Sequence, residues 1–262
     1  MIDRKRIENQ LRAAGLGHIL VFDYETTDST NTRAIEYTNT GHTADAVFIA
    51  EEQTAGRGRL GKSFHSEGGC GLYMTLLTHP NTAASDAASI TAGAAVRVAS
   101  ALKELCSLDV KIKWINDLYV KDRVSEKYKK LAGILAQTRT DAEGKITDLY
   151  LGLGINVYKY DFPKEIRDIA ISLEEVTGKR FSIEDIAVAV TRELLRFYTD
   201  SELIEKYRQS SLTLGKTITV RPGGEDTYTA RAIEILGDFS LLAERAGGEL
   251  VRLFSGEVST EL

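Results

Sequence analysis

Apolar residues recur along the chain with two spacings, one suited to helices and one to strands. Ile7 and Leu11 stand four apart in a polar opening, which predicts a short helix over residues 1–16. HILVFDY (18–24), AVFIAEE (46–52) and LYMTLLT (72–78) are apolar and β-prone, so each reads as a strand. After the first of these, the polar turn ETTDSTN leads into a helical stretch from about Asn31 to Asn39. From Ser89 to Leu105, the residues Ile90, Ala94, Val98, Ala101, Leu102 and Leu105 share one helical face. VKIKW (110–114) reads as a strand, and LAGILAQTR (131–139) and ITDLYLGLGINV (146–157) as two more. DAEGK between the last two is a hairpin loop with glycine where a positive φ is needed. Ser182-Ile183-Glu184-Asp185 has the pattern of a capping box and opens a helix to about Tyr198, with Ile186, Val190, Leu194 and Phe197 facing inward. A second helix covers about 201–209.

The pattern changes near Leu214. TITV, TYTARAIEIL, FSLLAE and ELVRLFSGEVST are short strands between glycine-rich turns, which suggests a small β-barrel or sandwich. A unit of about 50 residues buries little core alone, so it should pack on the larger part. The expected division is 1–213 and 214–262. Strands interleaved with helices, together with the hairpin, give an α+β fold with a central mixed sheet rather than a doubly wound parallel one.

Composition narrows the class without naming the chemistry. A hydrophobic share of 43% in 262 residues excludes disorder as the main state. No stretch reaches the roughly 20 apolar residues of a membrane helix, and the charged opening MIDRKRIENQ lacks a secretory apolar core. Cys70 and Cys106 match no metal or redox spacing, so a cytoplasmic setting is expected. A net charge of −5 speaks against a general nucleic-acid binder while leaving room for a local basic pocket.

Five strings carry candidate chemistry. Between Gln53 and Gly71, six glycines fall among Arg57, Arg59 and Lys62. Backbone N–H groups can approach an anion there and the cations can neutralise it, although a flexible basic surface loop has the same composition. It is not a Walker A loop, because Arg57 stands where glycine is required. Lys111–Asp117 (KIKWIND) ends a strand in an indole, an amide and a carboxylate; Asn116 and Asp117 suit a metal–phosphate unit, or form a simple turn beside a core tryptophan. In Lys129–Leu135 (KKLAGIL) a lysine at the mouth of a strand can project charge over Gly133, or the pair is merely solvated. In Leu151–Asn156 (LGLGIN) glycines inside a strand imply close approach by a ligand or another backbone, or a bulge. Asp28–Asn31 (DSTN) offers hydroxyls and an amide at a helix start, where they also suit capping.

In this order, DSTN, QTAGRGRLGKSF, KWIND, KKLAGIL and GLGIN resemble the biotin protein ligases, from about residue 18 to the C-terminus. Ala170–Leu173 (AISL) and Ser255–Val258 (SGEV) resemble them too. The resemblance implies a sheet related to class II aminoacyl-tRNA synthetases with helices on one side, then a small SH3-like barrel. It implies that biotin and ATP, with Mg²⁺, give biotinyl-5′-AMP, and that biotin then passes to a lysine of a biotin carboxyl carrier domain. Lys130, Arg57, Arg59 and Asp117 are the catalytic residues it suggests. Ser29, Thr30, Asn31 and Gln53 would surround the ureido ring, joined by backbone of Gly58, Arg59 and Gly133. Gly56, Phe64, Trp114, Asn116, Lys130 and Asn156 would complete the binding set, with Phe64 on the adenine. Asn116 and Asp117 would hold the metal.

Four departures from the family pattern stand out. Ile115 replaces the proline of KWPND, Ser66-Glu67 replaces Ser-Pro, and Arg123–Lys129 adds lysines that leave Lys129 as an alternative to Lys130. Fewer than about 20 residues precede the matched region, too few for the helix-turn-helix of regulatory members, so no DNA binding is expected. No membrane contact is expected either, and a homodimer fits the family. Three other classes compete. A lipoate–protein ligase shares the chemistry but lacks this GRGR and KW-x-ND combination. An inactive biotin sensor is opposed by Arg57, Arg59, Asn116 and Lys130. A nucleic-acid module is opposed by the charge.

Overall fold

The computed structural model describes residues 1–80, 82–83, 87–196, 202–221, 227–254 and 257–259. Its helices are α1 (Arg4–Ala13), α2 (Thr30–Asn39), α3 (Ala87–Cys106), α4 (Leu173–Thr177), α5 (Ile183–Leu195) and α6 (Leu203–Ser210). The first strands are β1 (Leu20–Thr27), β2 (Ala46–Gln53), β3 (Gly71–Thr78) and β4 (Thr82–Ala83). They are followed by β5 (Lys111–Lys113), β6 (Asp117–Lys121), β7 (Tyr128–Thr140) and β8 (Lys145–Asn156). The C-terminal strands are β9 (Thr217–Arg221), β10 (Tyr228–Ile235), β11 (Leu241–Arg245), β12 (Leu250–Leu253) and β13 (Glu257–Ser259).

The main sheet runs β1-β2-β3-β8-β7-β6-β5, with β4 added against β8. β1 and β2 are parallel and the other pairs antiparallel, so the sheet is mixed as the hairpin predicted. Alternation sorts its two faces. Val47, Ile49, Leu72, Met74, Leu76, Leu151, Leu153 and Ile155 share one core with Ile7 and Leu11 of α1 and the buried sides of α3 and α5. Ala46, Phe48, Leu77 and Tyr150 point the other way and pack on Ala34 of α2. Helices therefore lie on both faces, which corrects the expected one-sided arrangement. The face carrying α2 has fewer large apolar residues, and the candidate residues gather on it.

The small helices show how much of their stability comes from partners. At ten residues, α1 is too short to persist in isolation; it is held by burial of Ile7 and Leu11. Ser172 and Glu175 make a complete capping box at α4. At α5 the predicted box is only half made. Ser182 accepts from the Asp185 N–H, but the Asp185 carboxylate pairs with Arg6 at 2.7 Å. Ile186, Val190 and Leu194 are buried as predicted, whereas Phe197, Tyr198 and Ser201 lie outside the described residues. On α3 the predicted face is buried except for Leu105, which is exposed because the buried stripe ends one turn earlier. The DAEGK loop has Gly144 at φ +78°, as its turn requires.

β6 was not legible: Leu118, Tyr119 and Val120 are buried in succession, so no alternation marks the strand. β9–β13 form an antiparallel sheet in the order β12-β11-β10-β9-β13, in line with the small C-terminal β unit expected. Ser255 and Gly256 lie outside the described residues. Trp114 joins the two sheets: its backbone N–H donates to Thr213 Oγ1 at 3.0 Å and its indole N–H to the Phe239 carbonyl at 2.9 Å. The Trp114–Ile115 peptide is cis. Among the described residues no helix is long and apolar enough to cross a membrane.

Candidate active site

The centre of the main sheet is β8, between β3 and β7. On its α2 face stand Tyr150, Gly152, Gly154 and Asn156. The register runs without interruption past both glycines, which rules out a bulge there. Close approach does occur at both, but by the side chains of Asn31 and Phe64 and not by the ligand or backbone expected. A Cβ on Gly152 would fall 2.2 Å from Asn31 Oδ1, and one on Gly154 would fall 2.3 Å from Phe64 Cε1. The sheet is bare at these two points so that side chains from elsewhere can lie on it.

Asn31, 4% exposed, comes from the first turn of α2. Its Oδ1 accepts from Thr75 Oγ1 at 2.5 Å and its Nδ2 donates to Gln137 Oε1 at 2.7 Å. Thr75 pairs with Gly152 across β3, and Leu135, two residues before Gln137, pairs with Gly152 across β7. One carboxamide thus spans three strands. Beside it, Gln53 Oε1 accepts from the Thr30 N–H at 2.9 Å, and Gln53 Nε2 donates to Ser66 Oγ at 2.9 Å. Ser29 occupies the N-cap position of α2 but its hydroxyl makes no capping bond, so capping does not account for the DSTN string.

The glycine-rich segment is a folded excursion. Gln53 bridges Ser66 and Arg57 bridges Ser63; Gly58 N donates to the Lys62 carbonyl at 2.7 Å and Phe64 N to that of Gly56 at 2.9 Å. Gly56 lies beneath this excursion, where a Cβ would be 2.5 Å from the Phe64 carbonyl oxygen. Gly56 therefore does not line the cavity, contrary to its place in the expected binding set; its smallness lets the loop fold. Phe64 lies over Gly154, edge-on to Tyr73 with ring centroids 6.4 Å apart.

A register shift decides which of the two lysines faces the cavity. In a regular strand Lys129 would share a face with Gly133, and Lys130 would point away. The β6–β7 ladder slips between Leu118 and Tyr119, so that Leu131 is the extra residue on β7. Past this bulge the parity reverses: Lys130 Cε and Nζ lie 3.4 Å from the Cβ position of Gly133. Lys130 Nζ meets Asp117 Oδ1 at 2.8 Å, while Lys129 Nζ turns to Asp122 at 3.0 Å. Both lysines lie inside β7, which begins at Tyr128, and not at a strand mouth as expected. Asn116 donates to the Ile134 carbonyl at 2.9 Å and accepts from Arg59 Nη1 at 3.2 Å. Burial pulls the Arg59 guanidinium below its ordinary pKa, against the opposing pull of Asp117.

A cavity of about 390 Å³ collects these groups. Ser29, Thr30, Asn31, Gln53, Arg57, Gly58, Arg59, Phe64, Trp114, Asn116, Asp117, Lys130, Gly133 and Asn156 all line it. Trp114 does so only in part, since its indole N–H is already given to Phe239. Lys62, one of the loop cations named from sequence, also lines it, as do His65, Lys113, Tyr119, Ile166, Ile169 and Val258, which were not singled out as site residues. Lys62 and Lys113 sit inside motifs that were recognised, whereas Val258 is delivered by the C-terminal sheet. Among the described lining residues, five lysine and arginine side chains face one carboxylate, Asp117. Such a site suits a polyanion with an uncharged polar end piece near Asn31. Among the described residues no group of three His, Cys, Asp or Glu could cage a metal. Asn116 and Asp117 offer oxygen donors of the kind a hard cation takes, and in this structure those oxygens receive Arg59 and Lys130.

The profile of the biotin/lipoate A/B protein ligase family matches residues 24–156. A biotin–[acetyl-CoA-carboxylase] ligase of Mycobacterium tuberculosis is 30% identical over 98% of this chain and 95% of its own length. The bifunctional ligase/repressor BirA of Bacillus subtilis is 27% identical over 98% of this chain and 78% of its own. Among solved structures, the biotin protein ligase of Aquifex aeolicus in complex with biotin and ATP has a TM-score of 0.72 at 27% identity, covering 92% of this chain and 97% of that one.

Proposed function

This chain belongs to the biotin/lipoate A/B protein ligase family, and from that premise we propose that it ligates biotin to a lysine of a biotin carboxyl carrier domain. A biotin carboxylate oxygen attacks the α-phosphorus of ATP, the bond to the β-phosphate bridging oxygen breaks, and pyrophosphate leaves. The carrier lysine then attacks the acyl carbon of biotinyl-5′-AMP, an amide forms, and AMP leaves with the electron pair of the broken C–O bond.

The first step brings two anions together, and in a partly dry site their repulsion is large. Lys130, Arg57 and Arg59 are donors that meet this charge where it develops. Asp117 keeps the Lys130 ammonium directed over Gly133. Asn116 and Asp117 would hold a magnesium ion, which supplies further positive charge to the phosphate oxygens. Asn156 faces the nucleotide and Phe64 the adenine. Ser29, Thr30, Asn31 and Gln53 meet the ureido ring, where polar groups left unpaired would reject an analogue lacking it.

The observation that carries this proposal is one cavity that brings together cations and the hydrogen-bonded set of Gln53, Thr30 and Asn31, the last two joined through Thr75. It is tested by pyrophosphate release from ATP and magnesium with biotin or lipoate as sole acid. Turnover is expected with biotin only; turnover with lipoate alone would overturn the proposal. Lys130→Ala should lower release by about 10²–10³ while the fold is kept, and Lys129→Ala should leave it near wild type. The reverse ranking would remove Lys130 from its role. Biotin should then appear on a carrier domain added as acceptor.

A further inference from the structure

We infer that Thr75 and Gln137 are positioning residues for Asn31, fixing which end of its carboxamide faces which strand and so what the cavity receives from it. The inference rests on the biotin proposal above, because it concerns the same end of the cavity.

Neither residue belongs to a recognised string, and neither lines the cavity. They act through Asn31, one from each side. A primary amide has two N–H donors and two acceptor lone pairs. Thr75 occupies one lone pair and Gln137 one N–H, which leaves one of each for a ligand. A carboxamide turned by half a revolution has almost the same shape but exchanges donor for acceptor, and its terminal torsion is only weakly restrained by itself. The sense must come from the neighbours.

The hydrogen-bond pairing indicates that sense. Asn31 Oδ1 lies 2.5 Å from the Thr75 hydroxyl, which donates to it. The Asn31 nitrogen then faces Gln137, at 2.7 Å. Thr75 shares its one proton between Asn31 Oδ1 and Thr30 Oγ1, 2.8 Å away, and the Thr30 hydroxyl in turn donates to Gln53 Oε1 at 3.2 Å. Gly152 completes the arrangement, since any side chain there would displace the amide. A ligand group with a carbonyl and an N–H side by side matches what remains; an apolar ring does not.

The geometry makes an acceptor at position 137 and a hydroxyl at 75 necessary. Gln137→Glu keeps an acceptor, and Gln137→Leu leaves the Asn31 N–H unpaired. Thr75→Ser keeps the donor, and Thr75→Val removes it. In the pyrophosphate-release assay, Gln137→Leu and Thr75→Val are expected to raise the KM for biotin about tenfold, with the KM for ATP unchanged. Gln137→Glu and Thr75→Ser should stay close to wild type. A purely structural role would move both KM values together or lower kcat alone. Gln137 is half-buried, so leucine is accommodated; should that variant prove unstable, Gln137→Met is assayed in its place. The inference is overturned if Gln137→Leu leaves the biotin KM unchanged, if both KM values rise equally, or if Gln137→Glu is as impaired as Gln137→Leu. A wild type that does not turn over biotin overturns the biotin proposal and this inference with it. Wild-type turnover with an unimpaired Gln137→Leu overturns this inference alone.

Discussion

Gly152 and Gly154 stand two residues apart on one face of β8, and each is overlain by a side chain from another part of the chain. The two overlays are held by different forces. Asn31 is gripped by hydrogen bonds to both neighbouring strands and is almost wholly buried. Phe64 is half-buried, touches Tyr73 edge-on, and hangs from an excursion whose tip, Leu60, is 61% exposed. A hydrogen-bonded amide resists displacement because each partner left behind in a dry setting loses about 1–3 kcal/mol. An aromatic ring on a bare sheet can slide, since the dispersion attraction it gives up along one edge is regained along the other. The first position is therefore a fixed gauge for one end of a ligand, and the second a movable cover for the other.

The contrast is broken most severely by adding a methyl group at each position in turn. Gly152→Ala is expected to have the largest effect. Its Cβ would fall 2.2 Å from Asn31 Oδ1, which cannot retreat without giving up its bonds to Thr75 and Gln137. Thermal unfolding should show a loss of about 1–3 kcal/mol, and calorimetric titration should show biotin affinity lowered at least about tenfold. Gly154→Ala creates an overlap of the same size, 2.3 Å, but with the far edge of Phe64. Its cost should lie near the lower end of that range, about 1 kcal/mol, with biotin affinity little changed. Equal losses in the two variants would show that Phe64 is as fixed as Asn31.

The sequence displays one half of this contrast and conceals the other. Glycines inside a strand announce that something lies close, and GLGIN, DSTN and the GRGR loop were each recognisable as strings. Nothing in them says that DSTN supplies the tenant of Gly152 and the loop that of Gly154, because that pairing is fixed by the sheet order. Thr75 and Gln137 were invisible for the same reason: each is an ordinary strand residue until its neighbours are known. The lysine pair shows how local pattern can mislead, since simple alternation from Gly133 selects Lys129, and only the bulge at Leu131 returns Lys130 to the cavity. β6 escaped because a strand buried on consecutive residues lacks alternation. The long, alternating or amphipathic elements, by contrast, were read within a few residues of their ends.

A smaller change sharpens the picture at Phe64. Phe64→Ala removes the cover and leaves the gauge, so the KM for ATP should rise several-fold, the scale of an aromatic stacking contact of about 0.5–1.5 kcal/mol. Biotin affinity measured without ATP should be unchanged. A rise confined to biotin would place Phe64 at the wrong end of the cavity.

The finest test is a pair of double variants, read by thermal unfolding and biotin titration. If the cost of Gly154→Ala comes from contact with a movable ring, adding Phe64→Ala removes the overlap, and the double variant should be no less stable than Phe64→Ala alone. The two positions touch, so their effects need not add. At the other position, Gly152→Ala combined with Asn31→Ala also removes an overlap, yet the outcome should differ. Stability returns in part, because the methyl group no longer meets the amide. Biotin affinity does not return, because the donor and acceptor that Asn31 presented are gone. Full relief of stability at Gly154, against partial relief of stability and none of biotin affinity at Gly152, separates a cover from a gauge. Recovery of biotin affinity in the Gly152→Ala/Asn31→Ala variant would show that Asn31 only fills space, and the contrast between the two positions would then be one of packing, with no part in recognition.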